Sequence, residues 1–298
     1  MSAHVNTDGT GTVLRFELLG TLRVLRDGHE IPLRSHLQRT LLARLLLAGG
    51  HGVPQDDLID TLWPEDPPET SVALLYTHSA RLRALLKADG LLPRSARGYR
   101  IELTGHGCDI EEFRAVARFA RSAGTPPRQA LTAACAGLTR WRGPALADLP
   151  GPLRSSPPVR ALAEERRGLA VFCAETAQRL GVLTEVVGLL ARTADDSPYD
   201  EPLHAWLLRG LAAQGRVSEA LGRYAVLQRR LYEELGTDPA VELRGVHQEL
   251  LRLGDQRHAV AITSGPAAAG AQESFGGRGR PDVTDLAGPV WPGPLTAR

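Results

Sequence analysis

Leu207, Leu211, Gly215, Ala220 and Tyr224 recur 34 residues earlier as Cys173, Ala177, Gly181, Val186 and Leu190. A shifted third echo surrounds Gly124 and Ala130. The spacing is that of two amphipathic helices joined by a turn that needs glycine, a unit that buries its apolar stripe only against a neighbouring copy. The stretch 109–254 is therefore expected to be all-α, a short stack of helical pairs like those of tetratricopeptide repeats. Trp141, Trp206 and Tyr224 are read as filling its core rather than binding a ligand.

The pattern is different before residue 104. Alternating apolar runs at 13–19 and 22–25 flank Gly20, and Asp27-Gly28 leads into 29–33, as in a small antiparallel sheet with tight turns. Three helices are predicted next. The first, 37–48, ends on Gly49-Gly50, and the second, 54–62, has Asp56 and Asp57 in its first turn, where they complement the helix dipole. The third, 70–87, turns Val72, Leu75, Ser79, Leu82 and Leu86 to one face. Two short strands, 91–94 and 99–103, close the lobe. The fold class is thus an α+β winged helix-turn-helix over 13–104 followed by a tetratricopeptide-like helical domain. Disordered ends are expected at 1–12 and 255–298, the latter rich in Gly and Pro.

Charge is segregated although it nearly cancels overall, 35 Lys and Arg against 34 Asp and Glu. Arg81, Arg83, Lys87, Arg94, Arg97 and Arg100 face only Asp89 in the stretch 81–100, whereas 54–70 is acidic without one cation. Such a patch is the electrostatic footprint of nucleic-acid binding. The third helix suits the major groove, with Tyr76, Thr77, Arg81 and Arg83 on its outer side and Lys87 at its end. The wing residues Arg94, Arg97 and Arg100 suit the backbone or minor groove. Arg39, near the start of the first helix, is a phosphate-contact candidate. Tyr99 is read as an anchor beneath the wing, Gly98 as the residue that permits its hairpin, and Trp63 as core.

Several chemistries are excluded. Lys87, the single lysine, follows Leu86, so no GxxxxGK[ST] nucleotide loop exists. Cys108, Cys135 and Cys173 have no CxxC spacing and suggest neither zinc nor a disulfide framework. His36, His78 and His204 show no HExxH spacing or triad. No catalytic residue, metal or cofactor is expected. No segment reads as a secretory signal or membrane span, and the expected location is cytoplasmic, at the nucleoid.

Two stretches carry a resemblance. The first is FELLGTLRVLRDGHEIPL, QRTLLARLLL, DDLIDTLWPEDPPET and RGYRIEL. The second is WRGPALADL at 141–149 with GRVSEALGRYAVLQRRLYEELGTDPAVELRGVHQELL at 215–251. Together they resemble the Streptomyces antibiotic regulatory protein family, which joins an OmpR-type winged helix to a bacterial transcriptional activation domain. The resemblance implies a pathway-specific activator of an antibiotic or other secondary-metabolite gene cluster. It implies binding to tandem repeats in promoter DNA, often as a dimer, and recruitment of RNA polymerase through the acidic loop with Glu65, Asp66 and Glu69. Larger relatives carry an ATPase and a sensor domain further on, which this chain stops short of. The competing reading is a protein-interaction adaptor whose winged helix no longer binds DNA.

Overall fold

In the computed structural model the described residues are 13–87, 90–95 and 98–263, without the side chains of 94, 95 and 256–263. The expected disordered start 1–12, residues 264–298 of the expected disordered tail 255–298, and Arg97 of the wing lie outside them, while 255–263 of that tail are helical instead. The chain up to Arg257 forms one unit and a second begins at His258.

Strands β1 (Leu14–Glu17), β2 (Arg23–Arg26) and β3 (His29–Glu30) form the expected meander. In β1, Leu14 and Phe16 point inward and are fully buried, while Arg15 and Glu17 alternate outward. Asp27 and Gly28 both take positive φ, which makes the tight β2–β3 turn. Helix α1 (His36–Leu47) buries Leu41, Leu42, Leu45 and Leu46. Then come β4 (Val53–Pro54), α2 (Gln55–Leu62) and α3 (Ser71–Leu86), followed by the wing strands β5 (Arg94–Ser95) and β6 (Gly98–Tyr99). The wing is shorter than expected and has a third member, since its order is β4-β6-β5 with Val53 opposite Tyr99. The sequence assigns Pro54 to a helix start, and it does precede α2 as its N-cap. The strand pairing made by Val53 and Pro54 has no local signature.

The remaining elements are β7 (Gly107–Cys108), α4 (Asp109–Ala120), α5 (Pro127–Thr139), the single turn α6 (Gly151–Arg154), α7 (Pro157–Arg179), α8 (Leu183–Asp195), α9 (Glu201–Ala213), α10 (Val217–Leu235) and α11 (Val241–Thr263). Helix α11 runs past residue 254, where the sequence placed the end of the domain. The 34-residue echo corresponds to α7/α8 and α9/α10, and its eight non-glycine positions are all buried. Gly181 and Gly215 sit between the paired helices at φ +71° and +82°, a turn conformation that costs a side chain steric strain. Helices α4/α5 form the third pair, around Gly124. Trp141 and Tyr224 are core residues as expected, and Trp206 is half-buried. Cys135 and Cys173, 38 positions apart, bring their sulfurs to 3.7 Å between α5 and α7. No helix among the described residues is long and apolar enough to cross a membrane.

Residues 107–108, between the two expected domains, are themselves a strand of the N-terminal sheet. β7 pairs in parallel with β1, giving the order β3-β2-β1-β7. The next residue, Asp109, is 3% exposed, and its carboxylate accepts the backbone N–H of Leu18 at 2.8 Å and of Leu19 at 2.9 Å. Burial pushes this carboxyl up, while the two amides and Arg142 oppose the shift. The WRGPALADL segment completes the clasp. Arg142 N–H donates to Leu19 O, Leu146 N–H donates to Leu18 O, and Asp148 accepts from Leu22 N–H. Glu112 of α4 bridges Arg15 and Arg140, and these guanidinium groups hold its carboxyl below the usual range. The loop 18–22 of the winged helix is thereby gripped from two sides by the helical part.

Candidate nucleic-acid interface

Helix α3 owes its position to one buried stripe. Leu75, Leu82 and Leu86 are fully buried, and Ser79 is tolerated among them because its hydroxyl donates to Leu75 O at 2.8 Å. Val72 was expected on this stripe and is instead 51% exposed. It stands in the first helical turn, beyond the reach of the core that holds Leu75. The opposite face presents Ala73, Tyr76, Ala80, Arg81 and Ala84, and Lys87 caps the helix in a left-handed conformation. Small residues flanked by an aromatic and two cations let such a face come close to a nucleic-acid groove. Arg81 and Lys87 are exposed and form no ion pair among the described residues.

His78, half-buried beside α3's outer face, is pushed below the usual imidazole range by burial, then by Arg81 and His36. A neutral ring there leaves Arg81 as the charge on this edge of the helix. Thr77, half-buried, donates its hydroxyl to Ala73 O at 2.9 Å, so only its lone pairs remain, to accept from an exocyclic N–H of a base.

Two candidates have other work. Arg83 donates Nε–H to Leu92 O at 2.8 Å, and its guanidinium lies 5.8 Å from the Tyr99 ring centroid. It ties the wing to α3 rather than reaching out from the helix. Arg39 forms an ion pair with Asp148 and donates to the carbonyls of Leu22 and Leu33. Its side chain is three-quarters buried in the junction between the winged helix and the helical stack. Both side chains thus hold neighbouring segments of the fold together. Arg39→Ala is expected to cost about 1–2 kcal/mol of stability in urea denaturation while leaving the salt dependence of DNA binding unchanged.

In the wing, Arg94 stands opposite Tyr99 in the β5–β6 pair, Arg97 is outside the described residues, and Arg100 is half-exposed and paired with Glu102 at 2.5 Å. Tyr99 is 3% exposed, an anchor as expected. Gly98 takes φ +150°, and a Cβ there would meet Val53 O at 2.0 Å, so close strand approach requires glycine. The loop between α2 and α3 leaves Glu65, Asp66 and Glu69 exposed, with Trp63 half-buried at the end of α2. None of these three acids forms an ion pair among the described residues. Asp109, Glu112, Arg142 and Asp148 were not singled out from sequence. The WRGPALADL motif was visible, but its partner loop lies some 120 residues away.

Residues 108–251 match the bacterial transcriptional activator domain. The regulatory protein AfsR of Streptomyces griseus is 36% identical over 250 residues, which are 83% of this chain and 25% of that protein. The transcriptional regulatory protein EmbR of Mycobacterium bovis is 33% identical, over 82% of this chain and 66% of its own length. This chain thus spans two-thirds or less of these relatives. The transcriptional regulator RedD of Streptomyces coelicolor is 32% identical over 81% of the chain and 71% of that protein. Mycobacterium tuberculosis EmbR, solved in complex with a low-affinity phosphopeptide, superposes with a TM-score of 0.62 at 30% identity, covering 85% of this chain and 70% of that one. An N-terminal winged-helix lobe, a helical stack matched by the activator-domain profile and relatives that are regulators along most of their aligned length lead to one assignment: the chain belongs to the Streptomyces antibiotic regulatory protein family of transcriptional regulators.

Proposed function

We propose that this protein is a sequence-specific DNA-binding activator of a secondary-metabolite gene cluster, acting in the cytoplasm at the nucleoid. It lays α3 in the major groove, with Tyr76, Thr77 and Arg81 toward base edges and Lys87 toward a phosphate. Arg94, Arg97 and Arg100 of the wing reach the adjacent backbone or minor groove. Two subunits occupy tandem repeats, and the acidic loop with Glu65, Asp66 and Glu69 meets RNA polymerase on the side away from DNA. The observation that carries the reading is the division of α3 into a face locked in the core and a face bearing exposed Arg81 and Lys87 without ion-pair partners among the described residues.

The test is titration of a promoter fragment from beside the gene, followed by fluorescence anisotropy at several salt concentrations. Five cations remain candidates, and each neutralised phosphate releases counterions, so log affinity is expected to fall against log salt with a slope of about −4 to −5 per subunit. Arg81→Ala is expected to weaken specific binding by about 1–3 kcal/mol and relax preference at one base pair. Equal loss on unrelated DNA makes Arg81 a phosphate contact instead. A flat salt response with no shift of the fragment overturns the proposal and favours an adaptor role for the helical stack.

A further inference from the structure

Trp141 and Arg166 are each only 5% exposed, and the Arg166 guanidinium stacks 4.7 Å from the indole centroid. Arg166 donates Nη1–H to Asp196 at 2.6 Å. Its Nε–H and the indole Nε1–H of Trp141 make no hydrogen bond among the described residues. A buried donor without an acceptor costs about 1–3 kcal/mol, and two in contact at one place call for a reason.

Both residues line a cleft of about 220 Å3 beside α6 and the start of α7. Pro144, Ala145 and Val159 supply apolar wall, and Arg154 and Arg160 stand at the rim. These two arginines are exposed and form no ion pair among the described residues. The one carboxylate on the lining, Asp196, is already engaged by Arg166. The two unsatisfied donors lie behind the lining, and what the cleft itself offers is positive charge at the rim beside an apolar wall, the composition of a site for an anion with a hydrophobic body. Its volume is below the range of pockets that hold drug-sized ligands, so the body is no larger than about one ring.

We propose that this cleft binds a small organic anion, a carboxylate or phosphate on a compact apolar body, as an effector of the protein. Arg154 and Arg160 take the anionic head, and the apolar body lies along Pro144, Ala145 and Val159. Pro144 and Ala145 of this wall belong to the segment that grips the winged helix, since Arg142 N–H donates to Leu19 O and Leu146 N–H to Leu18 O. An occupant steadies residues 141–148 and with them the hold on the loop 18–22. The binding site stands whether or not the chain binds DNA; only its consequence for transcription rests on the proposed function.

Calorimetric titration of the full chain with benzoate, phenyl phosphate and neutral benzyl alcohol tests the site. Saturable one-to-one binding of at least one anion is expected, and the stronger of the two identifies the head group. The double substitution Arg154→Ala and Arg160→Ala is expected to weaken binding at least tenfold. Arg128→Ala with Arg229→Ala removes the same charge from exposed positions elsewhere and is expected to change nothing. Absence of saturable heat with either anion at millimolar concentration overturns the site. Equal binding of benzyl alcohol, or equal loss in both double variants, does so too. Hydrogen exchange of the amides at 18–22 is expected to slow at least threefold with the anion bound, and unchanged exchange despite binding overturns the effector role.

Discussion

Asp109→Ala is expected to destabilise the protein by about 3–5 kcal/mol, because it removes the single acceptor for two buried backbone donors. Leu18 and Leu19 are themselves fully buried, so water cannot replace the carboxylate at their amides. Arg142 would also lose one of its two acidic neighbours, Asp109 at 3.8 Å, and keep Glu17 at 3.6 Å. The effect should be read by chemical denaturation followed by circular dichroism. Glu112→Ala is the comparison, since it breaks two ion pairs at the same junction without stranding a backbone amide. Its partners Arg15 and Arg140 remain a third or more exposed and can be solvated, so about 1 kcal/mol is expected. If the two substitutions cost the same, the clasp is not held by Asp109, and the winged helix is joined to the helical stack chiefly through apolar contact.

The same junction marks where the sequence stops being informative. Features that depend on local periodicity were legible. The 34-residue echo, the α3 stripe and the Asp27-Gly28 turn each follow from side chains a few positions apart. The strands β4 and β7 were not, because a two-residue strand has no alternation to read and exists only through a distant partner. Arg39 and Arg83 look like free cations in a basic stretch, and nothing nearby in sequence reveals the acceptors, Asp148 and Leu92 O, that orient them. Cys135 and Cys173 are hidden likewise, being neighbours only once α5 lies against α7. In α3 the sequence located the helix and most of its buried stripe, while the division of its arginines between outward-facing and packed positions required the structure. Val72 shows the converse error: helical spacing places it on the stripe, but the core ends one turn short of it.

Gly98→Ala is expected to cost about 2–5 kcal/mol and to weaken promoter binding more than tenfold under conditions where the protein stays folded. Its added methyl would lie 2.0 Å from Val53 O and 2.9 Å from the Val53 carbonyl carbon, backbone atoms of β4 that cannot rotate aside. Relief requires β6 to part from β4, which removes the Val53–Tyr99 pairing. Tyr99 then shifts, and with it the ring over which Arg83 lies. The wing would lose its register relative to α3 although every arginine that could contact DNA is still present. Gly28→Ala separates this clash from the effect of φ alone. Gly28 has φ +84° with open space at the Cβ position, so its substitution should cost only about 1 kcal/mol and leave DNA binding intact. A Gly98 variant that matches the Gly28 variant in both stability and affinity would mean that the wing is not placed by its packing on β4. Loss of affinity in the Gly98 variant alone, with the α-helical signal preserved, would mean that basic residues in the wing act only when backbone contact with β4 aligns them with the exposed face of α3.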